Sequence, residues 1–503
     1  MPPCPSRFGT TWLSLLKEGL TTMKRTFLLS VSAAALFVAA PAFAQSNEST
    51  INQNGGGNNI AGTTQTGSNN GAATVNQTGF DGVAAIVQGG SDNRSNITQR
   101  GIAVVPTGPT GQSDSANPPA DRLGASNFAR TTQDGSNGQS DIAQGGNNSA
   151  VVTQAASTAR NRSNVDQDNE FDTAGTVADR STAGVAQNGD DGFSGVLQRG
   201  SGNSATVTQT EGSSFASSSI DTAGQGNTAE VTQSGNSASS FITQRGEGSD
   251  ADVTQTGDSS SSINQNSDDN TANVEQNGDL NQSEVNQFTS NEADVAQTGG
   301  DNRSRVDQNS SGALVEVDQV QVGGTSNGNF SNNSEVIQNA ASSARVLQIG
   351  DVNFSRVEQN GADLRSRGPR SDGFGADVTQ RGTANTSLVS QSGFQNYGVI
   401  EQGDGNPQGG INGPVSGNFS QLTQNGTRME AEVTQAADRN ISVVNQSGDY
   451  QRAYIGQYTT DNTVMVTQSG EFHTASVTQA STTGNTATVN QNGGSQNTAV
   501  INQ

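Results

Sequence analysis

The segment Asn203-Ser204-Ala205-Thr206-Val207-Thr208-Gln209 carries the pattern that decides the fold of this 503-residue chain. Its odd-numbered residues are Asn, Ala, Val and Gln, whereas its even-numbered residues are all Ser or Thr. A period of two places the first set on one face of a β-strand and the second set on the other. Residues that favour tight turns, mainly Gly, Asn and Ser, follow such units. Each unit therefore predicts one short strand and one turn.

The same frame recurs along the chain. There are 35 units that end in a marker Gln, between Gln53 and Gln503, and 27 of the 34 intervals between markers measure 10–12 residues. Val or Ile stands two positions before the marker in 32 units, and Ala or Ser stands four positions before it in 32 units. Several longer intervals are near twice the period, which indicates degraded units. We expect an all-β fold, a β-solenoid of stacked two-strand coils of about 22 residues with cross-β, amyloid-like pairing.

The Asn, Ala or Ser, Val or Ile, and Gln positions are expected to face inward and to repeat from coil to coil. A Val or Ile side chain that is removed from water contributes roughly 1.5–3 kcal/mol. Buried amides are costly unless they are hydrogen-bonded, and identical amides stacked in register can satisfy one another. The residues assigned to this inward structural ladder are Asn203, Ala205, Val207, Gln209, Asn227, Ala229, Val231, Gln233, Asn270, Ala272, Val274, Gln276, Asn485, Ala487, Val489, Gln491 and Gln503.

Composition supports a thin, repeated interior. Only 29% of the residues are hydrophobic, against roughly 45–50% apolar residues in an ordinary globular domain. A chain of this kind either stays disordered or buries a narrow core many times over. The regular period favours the second alternative.

The N-terminal region has the features of a secretory signal peptide. Lys24 and Arg25 precede the apolar run 27–40, and an Ala-Phe-Ala site ends at Ala44. We assign residues 1–22 to a misassigned upstream extension and residues 23–44 to the signal peptide, cleaved after Ala44. Cleavage would remove the single Cys and leave 20 Arg against 46 Asp and Glu, a formal charge of 20 − 46 = −26. These features predict a secreted protein without disulfides, and its acidity argues against nucleic acid as a partner.

Proline marks the interruptions of the repeat, because it cannot donate to a central ladder of strands. We assign repeat units to residues 45–100 and 131–503, separated by a Pro- and Gly-rich interruption at 101–130, with loop insertions near 361–373 and 403–417. The prolines that fall between units are Pro106, Pro109, Pro118, Pro119, Pro369, Pro407 and Pro414.

The alternating Asn, Ala or Ser, Val or Ile, and Gln, followed by Gly, resemble the curlin repeats from which bacteria build curli fibres. Units of about 11 residues that pair into about 22 cover almost all of residues 46–503. The resemblance identifies an unusually long member of the curlin-repeat family. It implies a β-solenoid subunit that polymerises through its ends, a nucleator, a curli-type outer-membrane secretion channel, and a cell-surface, pilus-like amyloid fibre. It also implies an inward amide ladder on residues such as Asn203 and Gln209.

We therefore predict a secreted structural subunit that self-assembles into extracellular amyloid fibres for biofilm matrix, adhesion and surface colonisation. No catalytic or metal site, no cofactor and no membrane insertion are expected. The only histidine, His473, is expected on the outside of the coil. The open alternatives are a non-polymerising solenoid adhesin or matrix protein that binds a surface or carbohydrate, and an ice-binding solenoid, which the irregular outward Thr positions disfavour.

Overall fold

The computed structural model describes residues 47–54, 59–66, 71–79, 82–100, 127–155, 159–168, 180–321, 332–361, 375–403 and 415–503. The predicted upstream extension and signal peptide lie outside these residues. Most of the interruption at 101–130, and most of the loops near 361–373 and 403–417, also lie outside them.

Every helix or strand in the described residues is a β-strand, which confirms the all-β prediction. No described segment is a helix of the length and apolarity needed to cross a membrane. The chain divides into two compact units, and the boundary falls between Asn236 and Ser237, within the predicted run of repeats.

The strands of the first unit are β1 Ser49–Asn54, β2 Ile60–Gln65, β3 Ala73–Thr78, β4 Val83–Gln88, β5 Arg94–Arg100, β6 Phe128–Gln133, β7 Gln139–Gly145, β8 Asn148–Gln154, β9 Arg162–Asp168, β10 Ser181–Gln187, β11 Phe193–Arg199, β12 Ser204–Gln209, β13 Ser217–Gln225 and β14 Thr228–Gln233.

The strands of the second unit are β15 Ser239–Glu247, β16 Asp250–Gln255, β17 Ser260–Gln265, β18 Thr271–Asn277, β19 Gln282–Gln287, β20 Glu292–Thr298, β21 Arg303–Gln308, β22 Leu314–Val320, β23 Asn332–Gln338, β24 Ser343–Asp351, β25 Asn353–Gln359, β26 Ala376–Thr383, β27 Thr386–Phe394, β28 Tyr397–Gln402, β29 Val415–Ser416, β30 Phe419–Thr427, β31 Glu430–Gln435, β32 Ile441–Asp449, β33 Arg452–Gln457, β34 Thr463–Glu471, β35 Thr474–Gln479, β36 Thr486–Ser495 and β37 Thr498–Asn502.

Within each unit the strands alternate between two parallel, open sheets, sheet A and sheet B. In the first unit, odd-numbered strands form sheet A and even-numbered strands form sheet B. The same alternation holds in the second unit up to β28. The two-residue β29 then joins sheet B, after which even-numbered strands β30–β36 belong to sheet A and odd-numbered strands β31–β37 to sheet B. Two successive strands thus complete one coil, and the β-solenoid prediction is confirmed.

Strands pair in the register that the repeat predicts. Between β12 and β14, for example, Val207 lies opposite Val231 and Gln209 lies opposite Gln233. The pair Gln198 and Thr222 in β11 and β13 shows that a strand without a marker Gln occupies the long interval between Gln209 and Gln233. Because strand side chains alternate between faces, a slip by one residue would bring the whole inward set to the surface.

The core of each coil is narrow and consists of single columns. Val231 and Val253 are at most 1% exposed, as are Ala229 and Ala251, and the marker glutamines beside them are equally buried. Each rung adds one Val or Ile per strand to the column, and roughly 1.5–3 kcal/mol of hydrophobic stabilisation comes with each. The many small contributions replace the thick core that the composition does not permit.

Turns between sheets A and B repeat as closely as the strands do. In the C-terminal part of the second unit, the arcs from sheet A to sheet B place Gln395, Arg428, Tyr450 and Phe472 at positive φ, between 55° and 58°. Such a conformation is uncommon for non-glycine residues. The arcs also stack so closely that a Cβ atom on Gly448 would lie 2.1 Å from a carbonyl oxygen of the next rung. Glycine is therefore required at this point of the arc.

Candidate functional site

The candidate site is the pair of polar columns that line the interior of the coils. Of the predicted ladder residues, the twelve that belong to β12, β14 and β18 and the turns before them are at most 2% exposed. In the last rungs, Ala487, Val489 and Gln491 are buried, Asn485 is half-buried, and Gln503 is exposed. Gln503 nevertheless continues the column, because its Oε1 accepts a hydrogen bond of 2.9 Å from Gln479.

The marker glutamines form continuous hydrogen-bonded ladders. In each ladder, Nε2 of one Gln donates to Oε1 of the Gln one coil further along, over 2.6–3.1 Å. In sheet B of the second unit this series runs without a break from Gln255 to Gln503.

Most ladder glutamines also use their second N–H group. Gln209 Nε2 donates to the backbone oxygen of Phe193 over 3.1 Å, and Gln276 Nε2 donates to that of Ser260 over 3.1 Å. These carbonyls belong to the facing sheet. The glutamine column therefore holds the two sheets together across the coil as well as the rungs along it. The sequence pattern predicts the bonds between rungs, but it does not predict the bonds between the two sheets.

All of these side-chain amides point the same way. The donor is always on the earlier rung and the acceptor on the later rung, so the amide dipoles add along the stack. Chains of aligned hydrogen bonds polarise and strengthen one another. The ladder consequently has two chemically different ends, one that offers Oε1 acceptors and one that offers N–H donors.

The asparagines serve mainly as clamps on the turns. Asn203 Oδ1 accepts the backbone N–H of Asn227 on the next rung over 3.0 Å, and its Nδ2 donates to the carbonyls of Arg199 and Gly224, each over 3.1 Å. Direct amide-to-amide bonds occur at a few rungs, where Asn302 donates to Asn281 over 3.0 Å. Their direction is opposite to that of the glutamines. The predicted amide ladder is thus found for Gln, whereas most Asn side chains bind backbone.

Ser and Ala at the fourth position before the marker are segregated by sheet. Sheet A carries Ser at this position in 15 of its 18 described strands, and sheet B carries Ala in all but two, apart from the short β29. Some of the Ser hydroxyls approach the marker Gln of the facing sheet, as Ser194 Oγ does with Gln187 Nε2 over 3.0 Å. The regular alternation of Ser and Ala from unit to unit is the sequence signal that could have revealed this difference.

His473 lies inside the coil, so the prediction that it faces outward was wrong. It occupies the Asn position of its unit, six residues before Gln479, and is 0% exposed. Its Nε2 lies 3.1 Å from the carbonyl of Ser469, and its Nδ1 accepts the backbone N–H of Asn497 over 3.4 Å. An imidazole with one donor and one acceptor nitrogen reproduces the two functions of the Asn clamp.

Charged side chains lie on the outer faces. Burial raises the pKa of Asp141, Asp166 and Asp318, whose carboxyls are partly covered by neighbouring rungs. A hydrogen bond from Arg439 lowers the pKa of Asp461, with 2.7 Å between Nε and Oδ1. Within the described ranges, no three His, Cys, Asp or Glu side chains are grouped to hold a metal ion.

Comparison with known proteins agrees with this geometry. A family model described as the curlin associated repeat matches residues 178–210, 224–257 and 459–493. No curated protein matches the chain. The first match spans β10–β12, and the third spans β34, β35 and most of β36. The strands between the matched stretches repeat the same register and the same inward residues. The chain therefore contains curlin associated repeats in these three stretches.

Proposed function

We propose that this protein is a secreted structural subunit that self-assembles into curli-like extracellular amyloid fibres, which serve biofilm matrix, adhesion and surface colonisation. The observation that carries the proposal is the glutamine ladder, in which a marker Gln accepts a hydrogen bond from the Gln one rung before it and donates one to the Gln one rung after it. A structure whose stabilising contacts are the same at each rung can be extended by a rung from another molecule.

The outermost described strands present this chemistry to solvent. At β37, the inward side chain of Ile501 is only half-buried, and the side chain of Gln503 is exposed beyond its bond to Gln479. In the first described rung, Ile51, which occupies the inward Val or Ile position of β1, is 43% exposed, whereas Val75 at the same position of β3 is 0% exposed. Exposed strand edges are templates for pairing with another chain. Addition of a further coil would bury these side chains and complete the backbone pairing.

The polarity of the ladder favours head-to-tail addition. A donor end can meet only an acceptor end if the glutamine bonds are to continue, so copies should add in parallel with β1 and β2 of one chain over β36 and β37 of another. Such a heterologous contact does not close on itself and generates a filament.

Export and surface attachment follow from the family resemblance together with the signal peptide predicted at residues 23–44. By that resemblance, the partners of the chain are further copies of itself, a nucleator and a curli-type outer-membrane secretion channel. The role is structural, with no cofactor required.

Seeded assembly of the purified chain tests the proposal. Monomer mixed with fragmented fibres should convert into fibres. Electron microscopy and sedimentation measure this conversion. Replacing both Gln491 and Gln503 with Ala should raise the residual monomer concentration roughly thirtyfold, since two ladder bonds of about 1 kcal/mol each are lost per junction. Thr488→Ala, on the outer face of β36, is the matched control and should behave as the parent does.

Two outcomes would count against fibre assembly. A chain that stays monomeric in the presence of seeds would favour the non-polymerising adhesin or matrix protein. Equal effects of the glutamine variant and of Thr488→Ala would show that the ladder does not form the junction.

A further inference from the structure

A groove of about 580 Å³ runs along one corner of the second unit. One wall is the column of arc residues Gln395, Arg428, Tyr450 and Phe472, which stand on four successive rungs at positive φ. With rungs about 4.8 Å apart, the groove follows the stacking direction for three rung intervals. Its shape fits an extended polymer laid along the axis of the coils better than a compact small molecule.

The arc column is tightly ordered. The rings of Tyr450 and Phe472 are stacked, with centroids 4.8 Å apart and planes inclined by 12°. The guanidinium of Arg428 lies 5.3 Å from the centroid of the Tyr450 ring and donates from Nε to Gln395 over 2.8 Å. Tyr450 and Phe472 remain 40% and 45% exposed, so their ring edges line the groove.

The charge of the groove differs from that of the rest of the chain. Arg428 is exposed, and within the described residues its side chain donates hydrogen bonds to the neutral groups of Gln395 and Tyr450 and takes part in no ion pair. On the other wall, Arg452 is paired with Glu430 over 3.3 Å. The groove thus holds two guanidinium groups against one carboxylate, in a chain whose net charge is −23.

These features together select a ligand class. An unpaired guanidinium is complementary to a carboxylate, with which it forms strong charge-assisted hydrogen bonds. The ring edges of Tyr450 and Phe472 offer apolar surface against which the carbon skeleton of a sugar can pack, and the carboxylate of Glu430 and the hydroxyl of Thr474 can bind sugar hydroxyls. Glu430 would instead repel a polymer that carries charge on every unit without hydroxyl groups.

We propose that this groove binds an extended acidic polysaccharide rich in uronic acid units, with a uronate carboxylate held by Arg428. This activity is separate from fibre assembly, because the groove lies on the side of the coils and not at their ends. It would attach an anionic glycan to a protein that otherwise repels anions.

The test measures binding of polygalacturonate, of its methyl-esterified form and of polyphosphate to the full chain by isothermal titration calorimetry. The structure predicts that polygalacturonate binds, that esterification weakens binding at least about tenfold, and that added salt weakens it as well. Polyphosphate should bind more weakly than polygalacturonate.

Arg428→Gln is the informative variant, because Gln395 shows that glutamine is accepted at the same place on a neighbouring rung. It should weaken polygalacturonate binding about tenfold or more while the far-ultraviolet circular dichroism spectrum is unchanged. Arg439→Gln is the matched control, since Arg439 is an exposed residue of positive φ on the opposite arc, paired with Asp461. Its binding should equal that of the parent.

Equal losses in the Arg428 and Arg439 variants would overturn the site, because net charge alone would then explain binding. Equal affinity for the esterified polymer would overturn the uronate assignment. Equal or tighter binding of polyphosphate would show a general polyanion surface and would likewise overturn the proposal.

Discussion

The marker glutamine carries more of the structure than any other residue type. Most buried marker glutamines donate along the stack and across it, and accept a hydrogen bond from the previous rung. Gln276, for example, donates to Gln297 over 2.7 Å and to the Ser260 carbonyl, and it accepts from Gln255. Removing one such side chain breaks bonds in both directions.

Gln276→Leu should therefore lower the free energy of unfolding by roughly 2–4 kcal/mol, because buried partners lose their hydrogen bonds. Urea denaturation followed by circular dichroism measures this change. Asn273→Leu makes a similar exchange on the exposed face of the same strand, and its effect should stay within about 0.5 kcal/mol. Similar losses of unfolding free energy for the two variants would contradict the assignment of Gln276 to the inner face and Asn273 to the outer face.

His473 gives a second test at the scale of one side chain. His473→Leu should destabilise the last coil by roughly 1–3 kcal/mol, because it leaves the Asn497 N–H and the Ser469 carbonyl without their partner. His473→Asn restores the residue that most units carry and should retain stability. Melting temperatures of the two variants measure the difference, and equal stability of both would contradict the clamp.

The residue scale also shows the limit of the sequence pattern. Alternation assigns Asn203 and Gln209 to the inner face, but it does not say which polar group each amide meets. That depends on how far the side chain reaches. The longer Gln reaches the next Gln, whereas the shorter Asn, beside the turn, reaches backbone. For His473, position in the unit was the decisive signal, and its residue type was misleading.

At the scale of the strand, the repeat determined nearly everything that the structure shows. The spacing predicted short strands, their parallel stacking and their register, because one face of each strand can only be buried in one alignment. It did not predict that Ser marks sheet A and Ala marks sheet B, since both residues are small and satisfy the same inward position. It indicated a degraded unit between Gln209 and Gln233, where β13 lies, but it did not identify Thr222 as the residue that replaces the marker.

The outer carboxyls make the stability of the folded state depend on pH. Burial raises the pKa of Asp141, Asp166 and Asp318 above the ordinary value of 3.8, so the folded state binds their protons more readily than the unfolded state does. Their destabilising effect is fully present at neutral pH. It disappears as the pH falls through the raised pKa values towards 3.8.

Stability should consequently rise as the pH is lowered from 7 towards 4. Below that, the Arg439–Asp461 pair works in the opposite direction, because the lowered pKa of Asp461 supports folding only while its carboxyl is ionised. Melting temperatures across this range measure the trend, and the variant Asp166→Asn should show a smaller rise. A stability that falls steadily from pH 7 to pH 4 would contradict the burial of these carboxyls.

For the whole molecule, the central claim is that the stack of coils extends across the junction between two copies of the chain. The two units each consist of the same coil, with the same inward columns and the same direction of hydrogen bonds. The repeat length and composition predicted this architecture. They could not predict the groove beside Arg428, which depends on arcs whose residues differ from rung to rung.

X-ray diffraction from aligned fibres of the purified chain tests the claim most directly. Parallel coils that stack along the fibre predict a meridional reflection near 4.7–4.8 Å and an equatorial reflection near 10 Å. Fibres without the meridional reflection, or a chain that remains a stable monomer under assembly conditions, would contradict the account.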